Sequence, residues 1–480
     1  MYSETASFFT KHKNKMINLK NKKVTVMGLG LYENGSGISA TRFLLGQGAK
    51  LTVTDLKTYE QLEKQIKSLG QAAKKIKFVL GGHQEDDFKN ADLILKNPGV
   101  PRNSKFLQIA KERHIPIETD ISLFFQIVDP KRIIGITGTR GKSTTATLTF
   151  EIIKTKYKNS VLGGNITKSP LAQMDEIKKG GLIILELSSW MLESLEEHKL
   201  SPHISIFTNI YPDHLNTYSS IEEYSLAKEN IFQWQDKNDY IILNRNNKFT
   251  FKAGKRAPSK RYWFSTKEFK EENGIFVRGN KVYFRKNEKE EFLIKIDDIK
   301  IPGKHNLENV LPAVCVAKLL GISKANITKA VKNFRGVHSR LELIKEVGGV
   351  RFYNDTTSTT PEAGIAGLRA LSNKKKNIIL IAGGSDKGLE FIQLVKEIKK
   401  VCKAVVFLKG SGTDKLEKYL NGCNLIKAET TSMADAVGVA KSFSKRGDIV
   451  LLSPACASFG LFNNEFDRGD QFNSAVRNLK

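Results

Sequence analysis

Short apolar segments alternate along the chain with segments whose apolar residues recur at helical spacing. Near the N-terminus, KKVTVMGLG, ISATRFLLGQGA and KLTVTD predict a strand, a helix and a second strand. RIIGI and TTATLTFEIIK repeat this pattern in the middle of the chain, and VRFYND, NIILIAGG, AVVFLKG and DIVLLSPA predict strands in the last third. Such alternation favours parallel sheets, so we predict three consecutive α/β segments.

The composition argues against a membrane-spanning, secreted or disulfide-bonded protein. Apolar residues make up 40% of the 480 positions, yet no apolar run approaches the roughly 18 residues that span a bilayer. The N-terminal stretch MYSETASFFTKHKNKM lacks the apolar region of a secretory signal. The four cysteines lie far apart without metal-ligand spacing, which favours unpaired thiols in a reducing compartment. We therefore expect a cytoplasmic protein without a membrane partner.

The net charge of +27 raises the question of nucleic-acid binding. The lysines are scattered, as in KKIK, NKKKN and EIKKVCK, and no run combines basic and aromatic residues as a nucleic-acid-binding module does. We interpret the charge as a solvated basic surface that also attracts anionic substrates. No nucleic-acid partner is expected.

GITGTRGKST, from Gly135 to Thr144, lies between a predicted strand and a predicted helix. A glycine-rich turn at that place directs backbone N–H groups and a helix N-terminus to one point, which suits an anion. Lys142 would add a positive charge for phosphate oxygens, and Ser143 a hydroxyl for magnesium. Ile136 stands where the general nucleotide-loop pattern has its first glycine. A chance basic turn and a specialised nucleotide loop both fit these residues.

The first predicted βαβ unit places glycines at positions 28, 30, 35 and 37 and ends its second strand on Asp55. An acidic residue at a strand tip can accept hydrogen bonds from ribose or a base. Glu33 occupies the third glycine position of the dinucleotide fingerprint. The segment therefore favours a nucleotide-diphosphate site of another kind over a standard NAD site.

Further polar residues follow predicted strands of the middle segment. Glu186 ends the strand in ILELSS, and Asp213 and His214 lie in the loop after the next strand. Ligands bind at the carboxyl edge of open α/β sheets, so these residues and the phosphate loop predict a magnesium–nucleotide centre. Taken singly, Glu186 fits a structural carboxylate equally well, and His214 a hydrogen-bonding loop residue. Lys228, in YSLAKENIF, resembles an ordinary surface lysine on composition alone.

A series of motifs, taken in order, resembles that of the Mur ligases. They are TGTRGKST, ELSS, NIYPDHL, AKENIF, GKHNLENVLPA, HSRLE, NDTTSTTP, GGSDKG and LLSPACASF with RGDQF. The resemblance covers nearly the whole chain and accounts for the irregular phosphate loop, because the family's loop has the form Thr-Gly-Thr-x-Gly-Lys-Ser/Thr. Arg140 replaces the usual asparagine of that loop.

The resemblance implies three domains. Residues 1–124 would form a Rossmann-like domain that binds a UDP-linked substrate. Residues 125–335 would form a P-loop ATPase-like domain that binds ATP, and residues 336–480 a Rossmann-like domain that binds an amino acid. A monomer is expected.

The resemblance also implies roles for individual residues. Those implied to hold ATP are Gly138, Thr139, Gly141, Lys142, Ser143, Thr144, Asn306, Asn309, Arg340 and Asp355. Two Mg²⁺ ions would be bound by Ser143, Glu186, His214 and Lys228, the last as a carbamate formed with CO2, and the implied catalytic set is Lys142, Glu186, His214 and Lys228. Substrate contacts are implied for Gly30, Leu31, Asp55, Asn165, Ser188, Thr359, Lys387, Ser458 and Phe466.

Within the family, the resemblance is to the branch that adds glutamate to UDP-N-acetylmuramoyl-L-alanine. It implies a part in peptidoglycan synthesis and hence in cell-wall biogenesis, cell shape and cell division. ATP would phosphorylate the alanine carboxylate, and the amine of glutamate would then displace phosphate from the acyl phosphate.

The expected amino-acid pocket departs from the D-glutamate pattern. Thr357 stands where the D-glutamate enzymes commonly have a lysine, and Glu465 or Phe466 where an aromatic residue closes the pocket. Trp190 and Asn216 are further departures, and together these features resemble a branch that adds L-glutamate. We predict D-glutamate because it is the commoner substrate, and L-glutamate stays the alternative.

Three other classes of protein share some of these sequence features. A folylpolyglutamate-synthase-like ligase would not need the N-terminal βαβ nucleotide domain. A non-catalytic nucleotide-binding protein would have no need to keep the metal ligands. A nucleic-acid-binding ATPase would explain the charge, and nucleic acid should then stimulate its ATP hydrolysis.

Overall fold

The computed structural model describes residues 18–166, 168–213, 217–270, 272–301, 303, 305–372, 375–386, 388–423 and 425–479. The chain divides into two compact units. Met1–Asp298 with Glu308–Lys332 make up the first unit, and Ile299–Leu307 with Asn333–Lys480 make up the second. The segment 308–332 thus belongs to the first unit although it follows a piece of the second in the chain.

A five-stranded parallel sheet opens the first unit. Its strands are β1 Lys23–Met27, β2 Lys50–Asp55, β3 Ile76–Leu80, β4 Leu93–Lys96 and β5 Ile117–Glu118. Its helices are α1 Ser36–Gly46, α2 Tyr59–Ser68, α3 Glu85–Lys89, α4 Lys105–Glu112 and α5 Asp120–Ile127. The strand order is β3-β2-β1-β4-β5, so the order reverses between β1 and β4. Such a reversal opens a crevice at the carboxyl ends of the strands, where ligands bind.

A nine-stranded sheet forms the rest of the first unit. Its strands are β6 Ile133–Thr137, β7 Val161–Gly164, β8 Ile183–Glu186, β9 Ile204–Phe207, β10 Tyr240–Asn244, β11 Lys260–Ser265, β12 Gly274–Arg278, β13 Lys281–Lys286 and β14 Lys289–Lys295. Its helices are α6 Lys142–Ile153, α7 Met174–Lys178, α8 Ser189–Glu193, α9 Ile221–Gln233, α10 Lys248–Gly254, α11 His305–Leu319 and α12 Lys324–Asn333. The strand order is β14-β13-β12-β11-β10-β9-β6-β8-β7, which places β6 inside the parallel part, between β9 and β8.

The parallel pairing that we predicted holds from β6 to β12, and antiparallel strands then extend the sheet. β13 pairs antiparallel with β12 and with β14. Asn287 and Glu288 connect β13 to β14 with φ values of 49° and 64°. Two consecutive residues of positive φ are the signature of a type I′ hairpin, which forces an antiparallel partner.

The second unit contains a six-stranded sheet. Its strands are β15 Glu342–Val347, β16 Val350–Asn354, β17 Ile378–Gly383, β18 Cys402–Leu408, β19 Ile426–Thr430 and β20 Ile449–Leu452, in the order β15-β16-β20-β17-β18-β19. Its helices are α13 Pro361–Leu371, α14 Ile392–Val401, α15 Ser411–Leu420, α16 Met433–Ser442 and α17 Glu465–Arg477. Among the described strands of this sheet, β15 alone departs from the predicted parallel arrangement, since it pairs antiparallel with β16.

The central strands are apolar and buried on both faces. Every residue of β6, β8, β9, β17 and β20 is buried, as expected of parallel strands covered by helices. Polar side chains can therefore reach ligands only where these strands end. The four cysteines, all within the described residues, form no disulfide, as predicted. None of the helices in the described part of the chain is long and apolar enough to cross a membrane.

Candidate active site

The phosphate loop has the predicted strand–loop–helix form. β6 ends at Thr137 and α6 begins at Lys142. Gly138 and Gly141 adopt φ values of 141° and 82°, which side-chain-bearing residues rarely adopt. A Cβ atom on Gly138 would lie 1.9 Å from Thr208 Oγ1, and one on Gly141 would lie 2.0 Å from Asn309 Oδ1. Both positions therefore require glycine.

The segment after β9 fixes the shape of this loop. The Thr139 N–H donates to the Asn209 carbonyl at 2.9 Å, and the Arg140 N–H donates to Asn209 Oδ1 at 2.9 Å. Thr208 Oγ1 donates to the Arg140 carbonyl at 2.8 Å. Sequence reasoning gave no role to Thr208 or Asn209, although Asn209 is the first residue of the motif NIYPDHL that it used.

Lys142 lies over the loop that precedes it. Its Nζ donates to the carbonyls of Gly138 at 2.9 Å and Thr139 at 3.0 Å. Ser143 is buried and Thr144 half-buried in the first turn of α6. A lysine at the N-terminus of a twelve-residue helix, beside backbone N–H groups, is an arrangement that binds phosphate oxygens.

Glu186 ends β8, the neighbour of β6, and is only 2% exposed. Asn165 Nδ2 donates to Glu186 Oε1 at 3.1 Å, which brings two predicted residues together. Within the described residues, the buried Oε2 atom has no hydrogen-bond partner. A buried carboxylate oxygen without a donor is costly, so this position favours a cation as its ligand.

Lys228 is not a surface lysine. It lies on α9 with 2% of its surface exposed, and its Nζ is 4.7 Å from the centroid of the Tyr224 ring. Burial holds the pKa of the Lys228 amine well below its usual range, and the positive charge of Lys142 acts in the same direction. The carboxylates of Asp213 and Glu186 oppose this shift. The structure thus brings Lys142, Glu186 and Lys228 into one electrostatically coupled group.

Tyr224 is a further member of this group that sequence reasoning missed. It is 1% exposed, and burial raises the pKa of its hydroxyl to about 12 although a hydrogen bond with the Thr139 side chain acts in the opposite direction. Its ring contacts Lys228 and lies 5.2 Å from the ring of Tyr218. Tyr224 therefore connects the phosphate loop to Lys228.

The group suits Mg²⁺ without forming a complete cage. Among the described residues, no three His, Cys, Asp or Glu side chains gather as a metal site. Mg²⁺ commonly takes only one or two protein oxygens and completes its shell with water and substrate phosphates, and the unpartnered Oε2 of Glu186 fits that use. His214 and Asn216 lie outside the described residues, as does Lys387.

The glycine loop after β1 lies at the crevice of the first sheet. Gly28 and Gly30 have φ values of 90° and 80°. A Cβ atom on Gly37 would lie 2.3 Å from the Gly28 carbonyl oxygen, so α1 packs directly against the loop. The buried carboxylate of Asp55 accepts the N–H groups of Leu29 at 2.9 Å and Lys57 at 3.0 Å. Asp55 thus shapes the loop.

Four other predicted residues occupy the following positions in the fold. Leu31 is 47% exposed at the glycine loop. Ser188 caps α8 and accepts the N–H of Met191 at 3.3 Å. Asn309 is buried on α11, and its carbonyl accepts the Thr145 hydroxyl at 3.2 Å. Asn306 is buried too, in the piece of α11 that belongs to the second unit.

In the second unit, Asp355 follows β16 and is buried. Burial raises the pKa of its carboxyl to about 7, against hydrogen bonds that favour the charged form. The Ser453 hydroxyl donates to Oδ2 at 2.9 Å, and the Leu341 N–H donates to Oδ1 at 3.2 Å. Arg340 is exposed, and its positive charge also favours ionised Asp355.

The loops after β16, β17 and β20 meet at the carboxyl edge of the third sheet. The Ala455 N–H donates to the Ser358 carbonyl at 2.8 Å, and the Ser385 N–H donates to the Ala457 carbonyl at 3.0 Å. Ser458 is buried in the last of these loops, Thr359 is half-buried in the first, and Phe466 is half-buried in α17. The structure therefore gathers the loops that carry the predicted amino-acid contacts.

Three family models match consecutive parts of the chain. They are the Mur ligase MurD-like N-terminal domain over residues 22–119, the Mur ligase middle domain over 136–317 and the Mur ligase glutamate ligase domain over 339–456. The boundaries that we predicted between the domains stay a prediction.

Relatives similar over their full length include the UDP-N-acetylmuramoylalanine--D-glutamate ligase of Roseiflexus sp. (strain RS-1). It is 39% identical over 473 residues, which cover 96% of this chain and 100% of the relative. The enzyme of the same name from Borreliella burgdorferi (strain ATCC 35210) is 41% identical, with coverages of 96% and 99%.

Solved structures share the fold at lower identity. The UDP-N-acetylmuramate-alanine ligase MurC of Thermotoga maritima is 19% identical with a TM-score of 0.60, over 96% of this chain and 100% of that one. A pseudomurein peptide ligase type C from Methanothermus fervidus, also 19% identical, has a TM-score of 0.54 and the same coverages.

Proposed function

The chain belongs to the Mur ligase family, and on that premise we propose that it joins D-glutamate to UDP-N-acetylmuramoyl-L-alanine at the expense of ATP. The observation that carries this proposal is full-length identity of about 40% to relatives named for that reaction. Neither the L-glutamate alternative nor the folylpolyglutamate-like alternative is favoured by these comparisons.

The phosphate loop binds ATP in this proposal. Lys142 and the N-terminus of α6 neutralise the phosphate oxygens, and the Ser143 hydroxyl stands where it can serve a metal. Mg²⁺, when bound by Ser143 and Glu186, supplies charge neutralisation for phosphoryl transfer. Support comes from the conformation of Gly138 and Gly141 and from the unpartnered oxygen of Glu186.

The ligase reaction needs an activated carboxyl group. The alanine carboxylate of the substrate attacks the γ-phosphorus of ATP, the bond from that phosphorus to the bridging oxygen breaks, and ADP leaves. The amine of glutamate then attacks the acyl phosphate, loses a proton and expels inorganic phosphate. The chain's part is to orient these groups and exclude water from the acyl phosphate.

Lys228 is proposed to carry a carbamate. Its buried position favours an uncharged amine, and only an uncharged amine adds to CO2. The nitrogen forms a bond to the carbon of CO2 and loses one proton, so the uncharged amine becomes an anionic carbamate beside the metal-binding oxygens. By family resemblance, His214 and the Lys228 carbamate are proposed to bind a second Mg²⁺.

Glutamate is proposed to bind at the loops of the second unit. Thr359 and Ser458 supply hydroxyl groups, Phe466 an aromatic wall and Lys387 a positive charge. Thr357 stands where the D-glutamate enzymes commonly have a lysine. Its hydroxyl donates to the Ser339 carbonyl at 2.9 Å, so this side chain holds the loop after β16 to the segment before β15. Asn306, Arg340 and Asp355 are proposed to contact ATP. We propose further that the protein acts as a cytoplasmic monomer in cell-wall synthesis.

Phosphate release tests the proposal. The purified chain is supplied with ATP, Mg²⁺, UDP-N-acetylmuramoyl-L-alanine and either enantiomer of glutamate, and we expect release that depends on D-glutamate and on the UDP-linked substrate. A specificity constant about tenfold higher for L-glutamate would contradict the stereochemical assignment alone. Absence of release with both enantiomers would contradict the ligase assignment.

A further inference from the structure

Arg468 is a fully buried arginine that the site assignments above do not use. It lies in α17 with 0% of its surface exposed and is among the largest fully buried side chains in the chain. Taking a guanidinium out of water is expensive unless its donors are satisfied. A buried charge at the carboxyl edge of a sheet therefore needs a reason.

The guanidinium joins two adjacent strand ends. Nε donates to Thr356 Oγ1 at 3.0 Å and Nη2 donates to the Thr356 carbonyl at 2.8 Å. Nη1 donates to the Cys456 carbonyl at 3.2 Å. Thr356 follows β16 and Cys456 follows β20, and these strands are neighbours in the sheet. The planar fork of arginine, with its five donors in fixed directions, can donate to both loops at once.

The two loops are those of the proposed glutamate subsite. Thr356 lies three residues before Thr359, and Cys456 lies two residues before Ser458. A change in the distance between Thr356 and Cys456 would move both hydroxyl groups relative to each other. Arg468 thus controls the spacing of groups that would contact the substrate.

The helix that carries Arg468 is fixed against the same strand end. A Cβ atom on Gly469 would lie 2.6 Å from Thr356 Cγ2, so α17 has no room to move closer. Asn354 Nδ2 donates to the Gly469 carbonyl at 3.1 Å, and Thr356 Oγ1 donates to the Glu465 carbonyl at 2.8 Å. The guanidinium is therefore held at a set distance from the loop after β16.

The charge of Arg468 is not matched by an ion pair in the described part of the chain, since all its hydrogen bonds there go to a hydroxyl and two carbonyls. Burial lowers the pKa of Arg468 to about 10, and Cys456 and the Glu465 carboxylate oppose this shift only in part. An anion in the adjoining subsite would restore the balance, and glutamate brings two carboxylates.

We propose that Arg468 is a positioning residue of the glutamate subsite, which sets the spacing of the loops after β16 and β20 and favours an anionic amino acid. This inference rests on the proposed function. A purely structural role would alter the KM values for glutamate, ATP and the UDP-linked substrate together. The proposed role predicts an effect on the KM for glutamate alone.

The test compares Arg468→Lys and Arg468→Met with matched changes at Arg477, an exposed arginine at the end of the same helix. Arg468→Lys keeps the charge but loses the fork, and we expect the KM for glutamate to rise about tenfold while the KM for ATP and for the UDP-linked substrate changes less than about twofold. Arg468→Met should raise the glutamate KM further. Arg477→Lys and Arg477→Met should leave all three values near wild type.

Each outcome bears on the inference. A selective rise in the glutamate KM for a folded Arg468→Lys supports it, whether or not Arg468→Met folds. Equal changes in all three KM values, or a fall in thermal stability without any selective change, would show that Arg468 is structural only. If wild type shows no glutamate-dependent phosphate release, the proposed function is contradicted. If wild type is active but Arg468→Lys leaves the glutamate KM unchanged, only the inference about Arg468 is contradicted.

Discussion

Asp355→Asn should make the second unit more stable relative to wild type as the pH rises, because wild type loses stability and the variant does not. The Asp355 carboxyl has a pKa of about 7 in the folded chain against an ordinary value of 3.8, because it is buried. The folded state therefore binds more protons than the unfolded state between these two values. The stability that protonated Asp355 contributes is fully present below pH 3.8 and is lost as the pH rises through 7.

The magnitude follows from the size of the shift. A difference of about three pKa units at ~1.4 kcal/mol per unit gives at most about 4 kcal/mol, of which relaxation of the site will remove a part. Asparagine has nearly the same shape and no charge. Because the Ser453 hydroxyl can rotate to accept a hydrogen bond, the amide can be satisfied where the carboxylate was. We expect the free energy of unfolding of the variant, relative to wild type, to increase by about 2–4 kcal/mol between pH 4 and pH 8.

Hydrogen exchange measured by mass spectrometry is the suitable assay. All three tryptophans, at positions 190, 234 and 263, lie in the first unit, so their fluorescence does not report on the second. The exchange rates of peptides from β16 and β20 report on the stability of the second unit, once they are corrected for the intrinsic pH dependence of exchange. Glu429→Gln, on an exposed position of β19, is the matched control and should show no pH-dependent difference. A difference between Asp355→Asn and wild type that stays constant from pH 4 to pH 8 would refute the reasoning.

Two further predictions concern the phosphate loop and its neighbour. Lys142→Ala should abolish ligase turnover while the thermal stability stays near that of wild type, because its charge serves phosphates; near-normal turnover by the folded variant would contradict this role. Lys228→Ala should lose activity and regain part of it when a short carboxylate such as acetate is added, since the added anion would replace the carbamate. A mass measurement that finds only free amine on Lys228 in the active, CO2-equilibrated enzyme would count against the carbamate.

The parts of the structure that sequence patterns predicted are those with local causes. The phosphate loop could be found because the glycines that set its turn and the lysine that follows them lie within one short run. The position of Glu186 at a strand end followed from the apolar run before it. The type I′ hairpin after β13 was missed because its turn is Asn-Glu, which lacks the glycine that usually marks such turns.

The buried charges could not be predicted for a different reason. Lys228 and Arg468 are residue types that lie on the surface in most proteins, and the chain has 77 lysines and arginines. Their burial depends on elements elsewhere in the chain, such as β16 for Arg468, a strand that lies more than a hundred residues earlier. Tyr224 lies one helical turn before Lys228, but only the folded structure shows its contact with Thr139.

The first unit is made of two separate chain segments, and this affects the order in which the protein can fold during its synthesis on a ribosome. All strands of its two sheets have been synthesised by Lys295, yet the unit also needs the segment 308–332. Val310, Leu311 and Val314 of α11 are at most 1% exposed, so a nascent chain that ends before them leaves their apolar sites open to water. Asn309, which packs against Gly141, arrives with the same helix. The nucleotide loop is thus completed late, after a piece of the second unit has already been made.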